Sequence, residues 1–221
     1  MDYSPILTLT LGVLITGVAA AEIRNLAAST WMYLVHSLFL AGTFAAFAVM
    51  THNPELYWWV LAAVVTKVIF IPLVLRWYII RHPTTELRPT LGFRLSLIIM
   101  AAVLIAFFEL VHTHMASIAP ADVAMHEPAR SCLAVAFTVF VLGLYILATR
   151  RDAIKNVIGI CLLENGAHLS LVVLAPALPE TVLLGIATSI VISAWVLVYV
   201  THRVVEIIGT PDTFKLSELR G

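Results

Sequence analysis

The chain has 221 residues, 61% of them hydrophobic and 12% charged, with a net charge of zero and a mean hydropathy of +1.00. Water-soluble domains carry about 25% charged residues, so an ordinary soluble enzyme is excluded. With no glycine-rich phosphate loop, no CxxC pair and no basic patch interleaved with aromatics, nucleotide-binding, dithiol redox and nucleic-acid-binding modules are excluded as well.

The apolar residues come in blocks of about 20, the length a helix needs to cross a hydrocarbon core. Lipid offers the backbone no partners, so each block must be helical. In chain order the blocks predict spans at residues 5–21, 27–50, 56–80, 90–111, 131–149, 153–175 and 181–201. The expected fold is an all-α integral membrane protein of about seven transmembrane helices. Residues 1–5 carry no basic stretch, so the first span reads as a retained helix and not as a cleaved signal peptide.

Charge placement predicts the orientation. Arg24 follows span one; Arg76, Arg81, Arg88 and Arg94 surround the third connection; Arg150, Arg151 and Lys155 surround the fifth; and Arg203, Lys215 and Arg220 end the chain. Arg130 stands on the other side and Lys67 inside a span. The positive-inside rule then puts the N-terminus outside and the C-terminus in the cytoplasm.

Ionisable residues within a span are costly and therefore functional candidates. Lys67 is nine residues before Arg76 and Glu164 nine after Lys155, so each lies roughly 14 Å from its basic marker. His36 in span two is expected at a comparable depth, and the three together could make a lateral proton path. His168, four residues after Glu164, shares its helix face, and Asn165 and Ser170 add polarity nearby. The bland alternative for each is a static buried pair or a polar contact between helices. Pro72, one turn beyond Lys67, is expected to loosen that helix. Glu109, near the outer end of span four, reads either as the mouth of a path or as an interfacial carboxylate. His112 and His114, with His126 and Glu127, are read as not forming a metal site, because i,i+2 spacing splays two side chains on a helix. Cys132 and Cys161 match no metal or redox spacing and read as small buried side chains.

One stretch carries a family resemblance. The run from Phe140 through Tyr145, Thr149-Arg150-Arg151-Asp152 and Lys155-Asn156 to Ile158-Gly159 resembles the K-type subunit of the complex I membrane arm, as does the ending Ser217-Glu218-Leu219-Arg220-Gly221. With four preceding spans, Leu163-Glu164-Asn165-Gly166, and Thr66-Lys67 before Pro72, the chain is similar to the hydrogenase-4 component E family of complex I-like membrane-bound nickel–iron hydrogenases. The resemblance implies two parts, a four-helix region at 1–130 and a three-helix K-like module at 131–221. It departs from that family at two points. The key glutamate of the K-type second helix falls on Cys161, one turn before Glu164. The acid of the third helix falls near Ser189 or Ile190, and residues 185–193 contain no carboxylate. A relay through span seven would fall to Thr188, Ser189, Ser193 or water. A weak internal echo relates Arg24-Asn25 and His36-Ser37 to Arg151-Asp152 and Glu164-Asn165.

The resemblance implies a membrane-arm subunit that moves protons through Glu164 and Lys67, with His36, His168, Glu109, Ser189 and Ser193 as further path candidates. It implies no cofactor in this chain. Nickel–iron and iron–sulfur centres are expected in peripheral partner subunits, and antiporter-like subunits are expected beside it in a bacterial inner membrane. A pure scaffold and a self-contained small proton-coupled transporter are the alternatives.

Overall fold

The computed structural model describes residues 4–82, 92–120, 123, 127–175 and 180–212. Seven helices in it are long and apolar enough to cross a membrane. They are α1 (Ser4–Glu22), α2 (Leu26–Thr51), α3 (Leu56–Arg81), α4 (Phe93–Thr113), α5 (Ala129–Thr149), α6 (Ala153–Leu174) and α7 (Glu180–Ile208). A four-residue helix, Met115–Ile118, follows α4. The expected all-α, seven-span architecture is therefore found. Span seven is longer than its apolar block, because Thr201-His202-Arg203 continues the helix beyond the hydrocarbon-like stretch. Residues 88, 126 and 213–221, which include Arg88, His126 and the ending that resembles the K-type terminus, lie outside the described residues.

Local chemistry sets the helix starts. Asn25 caps α2, its side-chain oxygen accepting from the Ala28 N–H at 2.9 Å. Asp152 caps α6, accepting from the N–H groups of Ile154 at 2.8 Å and Lys155 at 3.3 Å. Both are Asx residues that satisfy the open N–H groups of a first helical turn. Each follows an arginine at the tip of a helical hairpin, α1–α2 and α5–α6.

The α5–α6 pair forms the centre. About 61% of the apolar window of each is buried, against 22% for α4 and α7. Small residues make this closeness possible. A Cβ built on Gly143 would stand 2.6 Å from the Gly159 carbonyl oxygen, and one on Gly166 would stand 2.5 Å from the Ala136 carbonyl oxygen. Facing outward around the bundle are Ile15, Val49, Leu73, Ile105 and Ile192, all exposed. An exposed apolar belt of this kind needs lipid or another protein against it.

One end of the bundle gathers the basic residues. There Arg150 Nη2 forms a buried ion pair with Glu22, tying α5 to α1. Ser96 of α4 donates to the same carboxylate at 2.9 Å, and the Tyr145 hydroxyl donates to the Ser96 carbonyl at 3.0 Å. Lys155, one of the basic markers of this end in the sequence, is buried. Its ammonium donates to the Ala20 carbonyl at 2.9 Å and to Ser29 Oγ at 2.7 Å, and it also reaches the Ile23 carbonyl. It thereby closes the open carbonyls at the end of α1, where a helix favours a cation. At the same end His82 Nε2 and His202 Nδ1 stand 2.7 Å apart, joining α3 to α7.

Candidate functional site

The centre of α3 is not α-helical. Residues Val64–Phe70 form a π-helical segment, closed by the Ile71 N–H donating to the Thr66 carbonyl. Pro72 has no N–H and could not continue an α-helical ladder, and a widened turn before it accommodates the loss. Such segments recur at functional sites. This one presents Thr66 and Lys67 to the interior.

Lys67 is 3% exposed. Its ammonium donates to Asn165 Oδ1 and lies 2.7 Å from His168 Nδ1. An ammonium has only donors, so His168 accepts at Nδ1 and carries its hydrogen on Nε2. The His168 ring also meets Trp59 edge-on, 6.1 Å between centroids. On α6, Cys161, Asn165 and His168 form a buried stripe at i, i+4 and i+7. Glu164 is half-buried at the rim of this stripe, about 100° round the helix from Asn165. Its charge interacts with that of Lys67, but the two form no direct ion pair.

Facing this stripe, α2 contributes Tyr33, His36 and Ser37, all completely buried. His36 Nδ1 is 2.8 Å from the Val13 carbonyl oxygen. That oxygen can only accept, so Nδ1 carries the hydrogen and Nε2 offers a lone pair. The Tyr33 and His36 rings stack at 6.2 Å. Tyr33 OH lies near Ser37, Asn165 and Cys161 without a well-formed hydrogen bond to any of them. In all, Tyr33 OH, His36 Nε2, Ser37 Oγ and Asn165 Nδ2 are buried with no protein partner. Buried polar atoms almost always have partners, and four orphans in one neighbourhood make a polar interior between α2 and α6. A cavity with about 10 Å³ of room for water centres adjoins Lys67 and His168, enough for about one water.

The other candidates lie elsewhere. Glu109 is exposed on α4, away from the cluster. Ser189 is exposed and Ser193 half-buried on α7. The α7 residues that close the cavity beside Lys67 are Ile186, Ala187 and Ile190. Both cysteines are free and buried, with Cys132 Sγ 3.2 Å from Thr10 Oγ1. His112 sits 4.0 Å from Glu127. Among the described residues, no group of three metal-ligating side chains converges. Sequence reasoning passed over Tyr33, whose spacing to His36 and Ser37 puts all three on one helix face. It also passed over Glu22, the single acid at the end of span one.

Against known proteins, the family model for NADH-ubiquinone/plastoquinone oxidoreductase chain 4L matches residues 131–221. Over 208 residues the chain is 28% identical to hydrogenase-4 component E of Escherichia coli strain K12, covering 94% of each chain. The chain is similar to hydrogenase-4 component E along nearly its whole length. The same identity and coverage hold for component E of Shigella flexneri. An uncharacterized protein of Mycobacterium tuberculosis is 32% identical over 85 residues, 38% of this chain and 39% of that one. No solved structure matches. Glu164, Asn165 and His168 fall in the region matched by the chain 4L family. Lys67 and His36 fall outside it, within the stretch shared with component E. The cluster is therefore assembled across both regions.

Proposed function

We propose that this chain is a membrane-arm subunit of a complex I-like hydrogenase or a related energy-coupling oxidoreductase, and that it carries part of a proton path. The similarity to hydrogenase-4 component E and to chain 4L supports the first half. The second rests on one observation: a buried ammonium, Lys67, held by neutral acceptors on α6 beside a carboxylate with which it is not paired.

The chemistry follows from that arrangement. As an ammonium, Lys67 donates to Asn165 and His168. Transfer of a proton from Nζ to His168 Nδ1 leaves a neutral amine and an imidazolium, which can release its Nε2 proton onward. An ionised Glu164 stabilises the Lys67 ammonium, and protonation of Glu164 removes that attraction. Loading one site therefore favours unloading the other. Water among Tyr33, Ser37 and Asn165 would extend the path to His36 Nε2. Glu109, Ser189 and Ser193 have no place in this version of it, so the path leaves the chain toward a neighbouring antiporter-like subunit near Glu164. The arginine-rich end faces the cytoplasm, the membrane is the bacterial inner membrane, and nickel–iron and iron–sulfur centres reside in peripheral subunits.

The deciding experiment is Glu164→Gln in the intact complex. Proton movement per assembled complex should be lost while the subunits still co-purify. Unchanged proton movement would leave the scaffold reading, which the apolar α7 face beside Lys67 favours. Transport by the lone chain in liposomes would instead indicate a self-contained transporter.

A further inference from the structure

A groove of about 440 Å³ runs along the outside of the bundle between the first turns of α2 and the second half of α3. Its wall includes Trp31 and Leu34 of α2 and Ile69, Pro72 and Leu73 of α3, with Arg76 at the end nearest the basic face of the bundle. Trp31, Ile69 and Leu73 are each at least half exposed. The Thr30 hydroxyl, also in the wall, is occupied by the Leu26 carbonyl at 2.9 Å. That leaves the Arg76 guanidinium as the charged group available to an occupant, with the Trp31 indole N–H as a neutral donor. Arg76 is exposed and, among the described residues, has no ion pair or hydrogen bond.

We propose that this groove binds an acyl chain of an anionic phospholipid, whose phosphate is held by Arg76. The dimensions favour a lipid chain over a partner helix. From Val68 to Ile80 the α3 wall is about 18 Å long. Spread over that length, the 440 Å³ open to the centre of a water-sized sphere gives a cross-section of about 24 Å², and adding the sphere's radius of about 1.4 Å on each side makes a slot about 8 Å wide. A helix with its side chains is about 10–12 Å across and does not enter such a slot, whereas an extended hydrocarbon chain does.

The charge pattern selects the headgroup. Guanidinium groups bind phosphate through two parallel N–H···O bonds. Arg24 and Arg81 stand toward the same end as Arg76, and neither α2 nor α3 contains a carboxylate. The nearby acid on α1, Glu22, is taken by Arg150. A zwitterionic headgroup would bring a second cation into this basic setting, and an anionic one would not. The groove wall includes Val68, Ile69 and Pro72, so a bound lipid would rest directly on the π-helical segment that carries Lys67. The proposal does not depend on the proton-path reading.

The test uses the full chain purified in mild detergent, with phosphatidylglycerol and phosphatidylcholine added as probes and the bound lipid counted by native mass spectrometry. The wild type should retain phosphatidylglycerol over phosphatidylcholine by about fivefold, the effect of one surface cation on an anionic lipid. R76Q should lose that preference, and R76K should keep most of it, which controls for folding. Leu34→Trp, which fills the slot, should lower retention of both lipids. Equal retention of the two probes by the wild type, or an unchanged preference in R76Q, would overturn the proposal. So would displacement of the lipid by glycerol phosphate alone, or a disulfide from Leu73→Cys to a helix of another subunit in the intact complex.

Discussion

Lys67 is bonded to Asn165, 98 positions along the chain, and not to Glu164 immediately before it. The carboxylate and the ammonium are neighbours whose charges interact, while the amide is what holds the lysine in place. This division separates anchoring from titration, and the two can be tested apart. A hydrogen bond to a buried charge is worth about 1.5–3 kcal/mol. Asn165→Leu should therefore destabilise the folded protein by about that amount, read from thermal unfolding in detergent. Glu164→Gln should shift stability by less. If Glu164→Gln proves the more damaging to stability, the carboxylate is structural.

The contact between α5 and α6 depends on missing side chains. A methyl group at Gly143 or Gly166 would collide with backbone atoms of the facing helix, and backbone cannot swing aside. Gly143→Ala and Gly166→Ala should each cost about 1–3 kcal/mol, as overpacking typically does. Gly185→Ala on α7, where a Cβ meets nothing within 4 Å, should be neutral or slightly stabilising. Melting temperatures of the three variants check this ranking.

Glu22 and Arg150 are 6% and 7% exposed. Removing one partner of a buried pair leaves an uncompensated charge and costs about 3–5 kcal/mol. Arg150→Met should show that loss. Adding Glu22→Leu should restore much of it, since apolar replacement of both partners removes the stranded charge. A double-mutant cycle on unfolding measures the coupling, and additive losses would mean that the two side chains act independently.

The His82–His202 contact predicts a pH dependence at the end of the bundle. Burial, and then the charge of His202, hold His82 below the usual histidine value of 6.5; Glu206 raises it and Arg81 lowers it. Trp77 of α3 also meets the His202 ring edge-on, and Tyr78 lies tilted against the His82 ring. The unfolded state thus binds the proton more readily than the folded one, so stability rises with pH through this window. The contact is complete above about 6.5 and is lost as the pH falls through the lowered value. A second proton would put two N–H donors face to face. Spin labels on the ends of α3 and α7 should report a separation that widens as the pH falls below the usual histidine value, and His82→Phe should abolish that response.

Much of this architecture could be read from the chain because lipid removes alternatives. A block of about 20 apolar residues has few other ways to satisfy its backbone, so the seven helices were legible one block at a time. Lys67 and Glu164 stood out for a related reason, as charges too costly to sit in a span by accident. The Pro72 signal was legible in kind, as a disturbance of the helix, though not as a π-helical segment. The charge count put Lys155 at the basic end of the bundle but could not distinguish a lysine in water from one capping a neighbouring helix. Ser189 and Ser193 were chosen by position along the helix, and the rotation of α7 turns Ile186, Ala187 and Ile190 toward Lys67 instead.

The sequence by itself determined the spans, the side of the bundle that gathers arginines, and the position of each buried charge along its helix. Those depend on rise per residue and on transfer from water, which are properties of single helices. Only the tertiary structure decided which side chains meet. Azimuth depends on how seven helices pack, and that packing was set by glycines on α5 and α6, the widened turn in α3 and polar bonds between distant segments. It brought Lys67 to Asn165 and His168, left Glu164 beside them unpaired, and placed Tyr33, His36 and Ser37 on the opposite wall.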